Sequence, residues 1–242
     1  MSESGGPQAV LFDMGGVLLA MGNPVGMPHG KLDFRGREAL AHAIRAAGGR
    51  IAIDALESVL FEPWRREYAR RYELGREADW SPHLKALRHA AHVRSRDLTL
   101  LRAWFRPYAE TLAPVEGALE AVRTLAARGV AVGLVSNVPL PGALYEAVLR
   151  RFGFLALFPV RRFSYDAGSR KPSPAMLRSA LGELGADPSR AVMVGDRRSS
   201  DVAAGRAAGV RTVWLESADG GGPKADAEIR TLAELEPALA AL

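Results

Sequence analysis

Four polar signals in this chain each follow, or lie close behind, a short apolar run. Asp13 follows Ala9-Val10-Leu11-Phe12. Ser136-Asn137 closes the run that begins at Val130. Asp196 follows Ala191-Val192-Met193-Val194-Gly195, with Asp201 five residues on. Lys171 lies in Ser169-Arg170-Lys171-Pro172-Ser173-Pro174. Short apolar runs bounded by turn signals have the pattern of buried strands. Ligands of open parallel sheets bind outside the carboxyl ends of such strands. An Asp in a turn is common, so one alone carries little weight; four coordinated signals carry much more. The chemistry they suit is attack on phosphorus. A carboxylate such as Asp13 can form an aspartyl phosphate and split one hard step into two easier ones. It is repelled by an anionic phosphate, so cations are needed. Magnesium, with oxygen ligands and substrate phosphate, meets that need. Lys171 would add a point charge on the phosphoryl oxygens. It is one of only four lysines (31, 85, 171 and 224) in a chain whose default cation is arginine. Ser136 offers a hydroxyl to phosphate. Asn137 either positions substrate or closes a turn.

Positioning these residues requires strands alternating with helices. Val210 to Leu215 is a fourth apolar run, and Phe158 to Phe163 a weaker one. Helical spacing occupies Val115 to Arg128 before Gly129, and Ala143 to Phe152 before Gly153. It recurs in Met176-Leu177-Ala180-Leu181-Leu184, opened by Ser173-Pro174 with Pro at a first helical position. Ser199 or Ser200 is expected to cap a helix to Ala208, and a last helix runs from Leu232 to Leu242. This alternation predicts an α/β fold: a three-layer, doubly wound parallel sheet of Rossmann-like type. Residues of about 31 to 110 break the rhythm, with helical stretches rich in Arg, Glu, Ala and Leu and no convincing strand. They read as an inserted α-helical cap domain. Gly15 to Gly30 reads as a connecting loop and Ala218 to Pro223 as a flexible one. The expected division is a core of residues 1–20 and 111–242, with loop and cap at 21–110.

The 242 residues are 48% hydrophobic, enough for a sizeable core. No cysteine is present, which excludes disulfides and thiolate chemistry. The net charge is +5, but the arginines are scattered and no basic run carries interleaved aromatics, so no nucleic-acid partner is expected. No apolar run approaches the ~20 residues of a membrane span. Met1 to Gly6 has no basic region leading into an apolar one. The expected location is cytoplasmic, as a monomer or homodimer.

Val10-Leu11-Phe12-Asp13-Met14-Gly15-Gly16-Val17-Leu18 resembles the nucleophile motif of the haloacid dehalogenase superfamily. Leu134-Val135-Ser136-Asn137 is similar to its second motif, and Ser169 to Pro174 to its lysine motif. Val194-Gly195-Asp196 through Asp201 resembles its acidic metal motif. Order and spacing agree from about residue 8 to 215, with the helical insert where the large cap branch carries it. The resemblance implies magnesium-dependent hydrolysis of a small phosphorylated substrate. It implies metal ligation by the Asp13 carboxylate, the Gly15 carbonyl and Asp196. Asp201 would be a further ligand, direct or through water, or else a helix cap. It implies phosphate binding by Ser136 and Lys171. An acid at Asp166 often orients the lysine in that family.

One position departs from the pattern. Phosphatases of the superfamily usually carry a second Asp, a proton donor and base, where this chain has Gly15. General acid–base help is worth ~10²–10⁴ in rate. Three explanations are open: a substrate with a good leaving group, such as an acyl or anomeric phosphate; a proton from elsewhere, with His29, Glu62 and His83 as candidates; or a fold that binds a ligand or partner without turnover. Dehalogenases of the superfamily also lack the second Asp, but they need no magnesium, and the Asp196–Asp201 pair argues against them. Met14-Gly15-Gly16 also resembles the phosphatase-like domain at the N-terminus of some epoxide hydrolases. Trp64, Trp80 and Trp104 of the insert are expected in its core rather than against ligand.

Overall fold

β1 (Ala9–Phe12) is four apolar residues, all fully buried. Its side chains alternate between two cores: Val10 and Phe12 pack in one, Ala9 and Leu11 in the other. A strand buried on both faces needs helices on both sides, and the rest of the chain supplies them. The computed structural model describes residues 6–21, 29–218 and 221–242, with side chains left out at 21 and 29–31. After β1 come β2 (Leu19–Met21), α1 (His29–Ala46), α2 (Glu62–Glu73), α3 (Ser81–Ala90), α4 (Asp97–Thr111) and β3 (Leu112–Pro114). Next are α5 (Ala118–Ala127), β4 (Ala131–Ser136), α6 (Gly142–Arg151), β5 (Val160–Phe163), α7 (Ser164–Ala167) and α8 (Ala175–Leu184). Last come β6 (Ala191–Gly195), α9 (Ala203–Ala208), β7 (Arg211–Leu215), β8 (Ala227–Ile229) and α10 (Leu235–Ala241).

Six strands form one parallel sheet in the order β5-β4-β1-β6-β7-β8. Taken in sequence, this is the doubly wound 3-2-1-4-5-6 order, whose crevice lies beside the first strand. α5, α6 and α10 cover one face, α8 and α9 the other. The fold is therefore the expected three-layer α/β sheet. The crossovers carry the carboxyl ends of β1, β4 and β6 to one edge, and Asp13, Ser136 and Asp196 with them.

Between β2 and β3 the described chain is helical. α1 and α4 pack against each other, and they approach so closely that a Cβ at Gly36 would meet Trp104 at 2.8 Å. Phe61, Trp64, Trp80 and Trp104 form an aromatic nucleus there; Trp64 stacks on Trp80 with centroids 4.2 Å apart. The tryptophans are thus core, as expected. Trp80 Nε1 also donates to the Pro139 carbonyl at 2.8 Å, tying the insert to the sheet domain.

Several details differ from expectation. Part of the expected loop from Gly15 is strand: β2 pairs antiparallel with β3, so entry to and exit from the helical segment run side by side. Residues 22–28 of that loop, 219–220 of the second loop, and 1–5 at the start lie outside the described residues. α5 starts three residues later than its pattern, because Gly117 adopts φ +74°, a left-handed conformation that glycine takes without a steric penalty. Pro174 stands at the N-cap rather than inside α8. The helix expected from Ser199 or Ser200 begins instead with a π-helical turn, Arg198–Val202, capped at Arg197, before α9. The final segment opens as a 3₁₀ turn at Leu232–Glu234 closed by a Thr231–Glu234 capping box. Among the described residues, no helix is long and apolar enough to cross a membrane.

Candidate active site

Asp13 is the first residue beyond β1. Its backbone N–H donates to the Val194 carbonyl at 2.9 Å, so the neighbouring strand still holds it. The residue is 8% exposed, and its side chain meets Lys171, whose Nζ lies 2.7 Å from Asp13 Oδ1. The same ammonium donates to the Val135 carbonyl at 2.7 Å and lies 2.7 Å from Asp201 Oδ1. The ammonium thus makes two hydrogen bonds and one further close ion pair. Burial pulls the Lys171 ammonium down, but the charges of Asp13 and Asp201 outweigh it and hold it above its ordinary value. Burial pushes the Asp13 carboxyl up; Lys171 opposes that rise and Asp201 adds to it.

Asp196, at the end of β6, completes an acidic triad. One carboxylate oxygen each from Asp13, Asp196 and Asp201 lie within 4.8 Å of one another. Burial, then the charges of Asp13 and Asp201, push the Asp196 carboxyl up to about 7. Its Oδ1 is buried with no hydrogen-bond partner. Three carboxylates crowd round one buried ammonium, and two of their oxygens, Asp196 Oδ1 and Asp201 Oδ1, are buried without a hydrogen-bond partner. That donor set fits a divalent cation of the magnesium type. The glycines around it keep the space. A Cβ at Gly195 would overlap the Asp201 side chain; one at Gly16, where φ is +80°, would overlap Asp196 Oδ2.

Gly15 is different. A Cβ built there meets nothing within 4 Å, and its backbone carries no positive φ. The chain could accept a side chain at this position. Gly15 lines the cavity all the same.

The cavity holds about 590 Å³ and is lined by all seven residues singled out from sequence: Asp13, Gly15, Ser136, Asn137, Lys171, Asp196 and Asp201. Ser136 is buried at the end of β4. Asn137 has a specific task. Its Oδ1 accepts from the Lys171 N–H at 2.8 Å and its Nδ2 donates to the Lys171 carbonyl at 2.9 Å. It grips the lysine's backbone on both sides, which neither a simple turn residue nor a free substrate ligand would do. Asp166, the acid often paired with the lysine in relatives, does not touch it. Its Oδ2 accepts from the Gly142 N–H at 2.9 Å, at the start of α6. Asp201 Oδ2 accepts from the Arg197 N–H at 3.0 Å at the start of the π-helical turn, the capping role that was one of its two expected roles, while Oδ1 faces Lys171.

The proposed substitutes for the missing acid are engaged elsewhere. His83 pairs with Glu67 at 2.8 Å and Glu62 with Arg66 at 3.4 Å, and neither lines the cavity. The His29 side chain lies outside the described residues. What sequence reasoning missed is the aromatic wall. Tyr68 and Tyr72 of α2, Phe105 and Tyr108 of α4, and Tyr145 of α6 line the cavity, with Arg170 among them. The only sequence signal was spacing: aromatics at i, i+4 on α2 and i, i+3 on α4 share a helix face.

A wide acidic pocket at the switch point of a doubly wound sheet, with a buried lysine bridging two of its carboxylates, defines a class of hydrolases. Residues 7–209 match the family model for haloacid dehalogenase-like hydrolases, so the chain belongs to that family. It is 32% identical to a phosphoserine phosphatase of Thermus thermophilus over 187 residues, 62% of this chain and 74% of the relative. It is 30% identical to an N-acetylmuramic acid 6-phosphate phosphatase of Pseudomonas aeruginosa over 207 residues, 85% of this chain and 80% of the relative. A HAD phosphatase structure from Thermococcus onnurineus superposes with TM-score 0.62 at 26% identity, covering 95% of this chain and 96% of that one. A 2-haloacid dehalogenase from Pseudomonas syringae superposes with TM-score 0.66 at 23% identity, over 97% and 99%, and shows the shared fold.

Proposed function

We propose that this hydrolase is a magnesium-dependent phosphatase of a small phosphorylated metabolite, working through an aspartyl phosphate on Asp13. The observation that carries the reading is the triad: one oxygen from each of three carboxylates within 4.8 Å of one another, two of the carboxylates having a buried oxygen without a hydrogen-bond partner, beside a buried lysine. Asp13, Asp196, Asp201 and the Gly15 carbonyl would hold magnesium. When bound, it would offset the charge of the substrate's phosphoryl oxygens. Asp13 Oδ1 is held by Lys171, which leaves Oδ2 to attack phosphorus. Lys171 keeps Asp13 ionised and in place, Asn137 fixes the lysine's backbone, and Ser136 offers its hydroxyl to a phosphoryl oxygen. The helical segment between β2 and β3 serves as cap over a core of residues 1–20 and 111–242, with loop and cap at 21–110. It excludes water and meets the group beyond the phosphate. The working location is the cytoplasm.

A second reading, halide displacement from a small haloacid, is favoured by Gly15 alone. The triad speaks against it, since a metal-free displacement needs no third carboxylate. Phosphate release from acyl, sugar and aryl phosphates, with and without magnesium, separates the two. Magnesium-dependent release, absent in Asp13→Asn, is expected. Halide release without metal, and no phosphate release from any compound, would replace the first reading with the second.

A further inference from the structure

The walls above Asp13 and the gap at Gly15 are independent features, and they point to the same substrate. Phe105 packs on Tyr145 with centroids 5.0 Å apart, joining α4 to α6. Tyr68 and Tyr72 lie 5.9 Å apart on α2, and Tyr108 faces the cavity from α4. Among the described lining residues, the only carboxylates are the three on the floor. An ammonium beyond the phosphate would find no anionic partner on the walls, where the rings stand among Arg170, Arg197, Ser199 and Ser200. The rings offer flat faces on which a planar group can stack.

At Gly15 the difficulty is the leaving group. An alkyl phosphate must expel an alkoxide; among the described residues Gly15 has no proton to give, and Glu62 and His83, paired with Arg66 and Glu67, do not line the cavity. A phenolic oxygen has a pKa of about 10, well below that of water and of the alcohols that resemble it. It can depart as phenolate without an acid.

We infer that the substrate is the phosphate monoester of a flat aromatic alcohol, an aryl phosphate, with its ring held between the α2 and α4 aromatics. The inference rests on the phosphatase reading. Asp13 Oδ2 forms a bond to phosphorus as the bond from phosphorus to the aryl oxygen breaks, and the aryl group leaves with that electron pair. Water then attacks phosphorus and the bond to Asp13 breaks. One proton of that water stays on the released phosphate. The other passes through solvent to the phenolate, so the balance is aryl phosphate plus water to phenol plus hydrogen phosphate.

The test uses the full chain with magnesium. Acetyl phosphate, phenyl phosphate and propyl phosphate are compared as substrates. Phenylphosphonate and methylphosphonate are compared as ligands of Asp13→Asn by calorimetry. Expected are turnover of acetyl and phenyl phosphate, and turnover of propyl phosphate lower by ~10² or more, the usual worth of a missing general acid. Gly15→Asp should raise propyl phosphate turnover at least tenfold, toward that same ~10². Phenylphosphonate should bind about tenfold tighter than methylphosphonate. That ratio should collapse in Tyr72→Ala, whose ring is 50% exposed and can be removed without opening the core, and persist in Tyr72→Phe. Turnover of acetyl phosphate with phenyl phosphate no faster than propyl, or no preference for phenylphosphonate, would overturn the aryl assignment and leave the phosphatase standing. No turnover of acetyl or phenyl phosphate would overturn both.

Discussion

Lys171 and Arg170 are adjacent in sequence and show how differently the floor and the walls of the cavity are held. Lys171 is buried, with three partners at 2.7 Å, and its own backbone is gripped by Asn137. Arg170 sits 3.9 Å over the Tyr72 ring, with contacts of 3.4 Å to Glu77 Oε1 and 3.4 Å to the Tyr68 hydroxyl, longer than those of Lys171. The floor is made of charges fixed by strand ends, where a small displacement leaves a buried charge unpaired. The walls are made of rings on helices, joined to the core by fewer links, such as Glu77 accepting from Ser164 at 2.7 Å. On the proposed function, reactivity falls to the strand ends and selectivity to the helix rings.

If that contrast is right, floor substitutions should cost far more than wall substitutions. The largest expected effect is Asp13→Asn, which removes the nucleophile and should lower turnover on the order of 10⁴-fold or more in steady-state assays. Lys171→Met leaves Asp13 and Asp201 buried without their shared cation. It should cost roughly 3–5 kcal/mol in urea unfolding without metal, and magnesium should recover part of it. A loss below ~1 kcal/mol would mean that the floor is as tolerant as the walls.

Protonation gives a further test of the floor. Asp196 is raised from 3.8 to about 7, so its neutral form is favoured by folding. Its contribution to the metal-free protein is then full below pH ~4 and is lost as pH rises to about 7. Metal-free stability should fall across that window. Magnesium affinity should fall in the opposite direction, as pH drops below about 7, with proton release seen by calorimetry in buffers of different ionisation enthalpy. Flat profiles would contradict the raised carboxyl.

The smallest effects distinguish adjacent glycines. Gly16→Ala places a Cβ against Asp196 and in a left-handed backbone, and should destabilise by about 1–2 kcal/mol while weakening magnesium binding. Gly15→Asp enters open space and should change stability by less than ~1 kcal/mol. Equal effects on thermal unfolding would remove the distinction between them.

The floor was legible in sequence because Asp13, Ser136 and Asp196 each end or follow a short apolar run with the pattern of a buried strand. Asp13, Ser136 and Asp196 inherit their positions from the parallel register of β1, β4 and β6. Lys171 has no such strand, and its place depends on Asn137, a contact 34 residues apart that no local spacing encodes. β2, β3 and β8 are three residues each, too short to show a period. The walls were illegible for another reason. Helix periodicity says that Tyr68 and Tyr72 share a face, but only tertiary packing says that this face looks toward Asp13.

The most direct test of the central claim is a single-turnover reaction in heavy-oxygen water, followed by mass analysis of the phosphate and of the peptide carrying Asp13. Hydrolysis of an aspartyl phosphate at phosphorus predicts the heavy oxygen in phosphate and none in Asp13. Heavy oxygen in the Asp13 carboxylate would mean that water attacks a carbon ester on that residue, and would contradict phosphoryl transfer to Asp13.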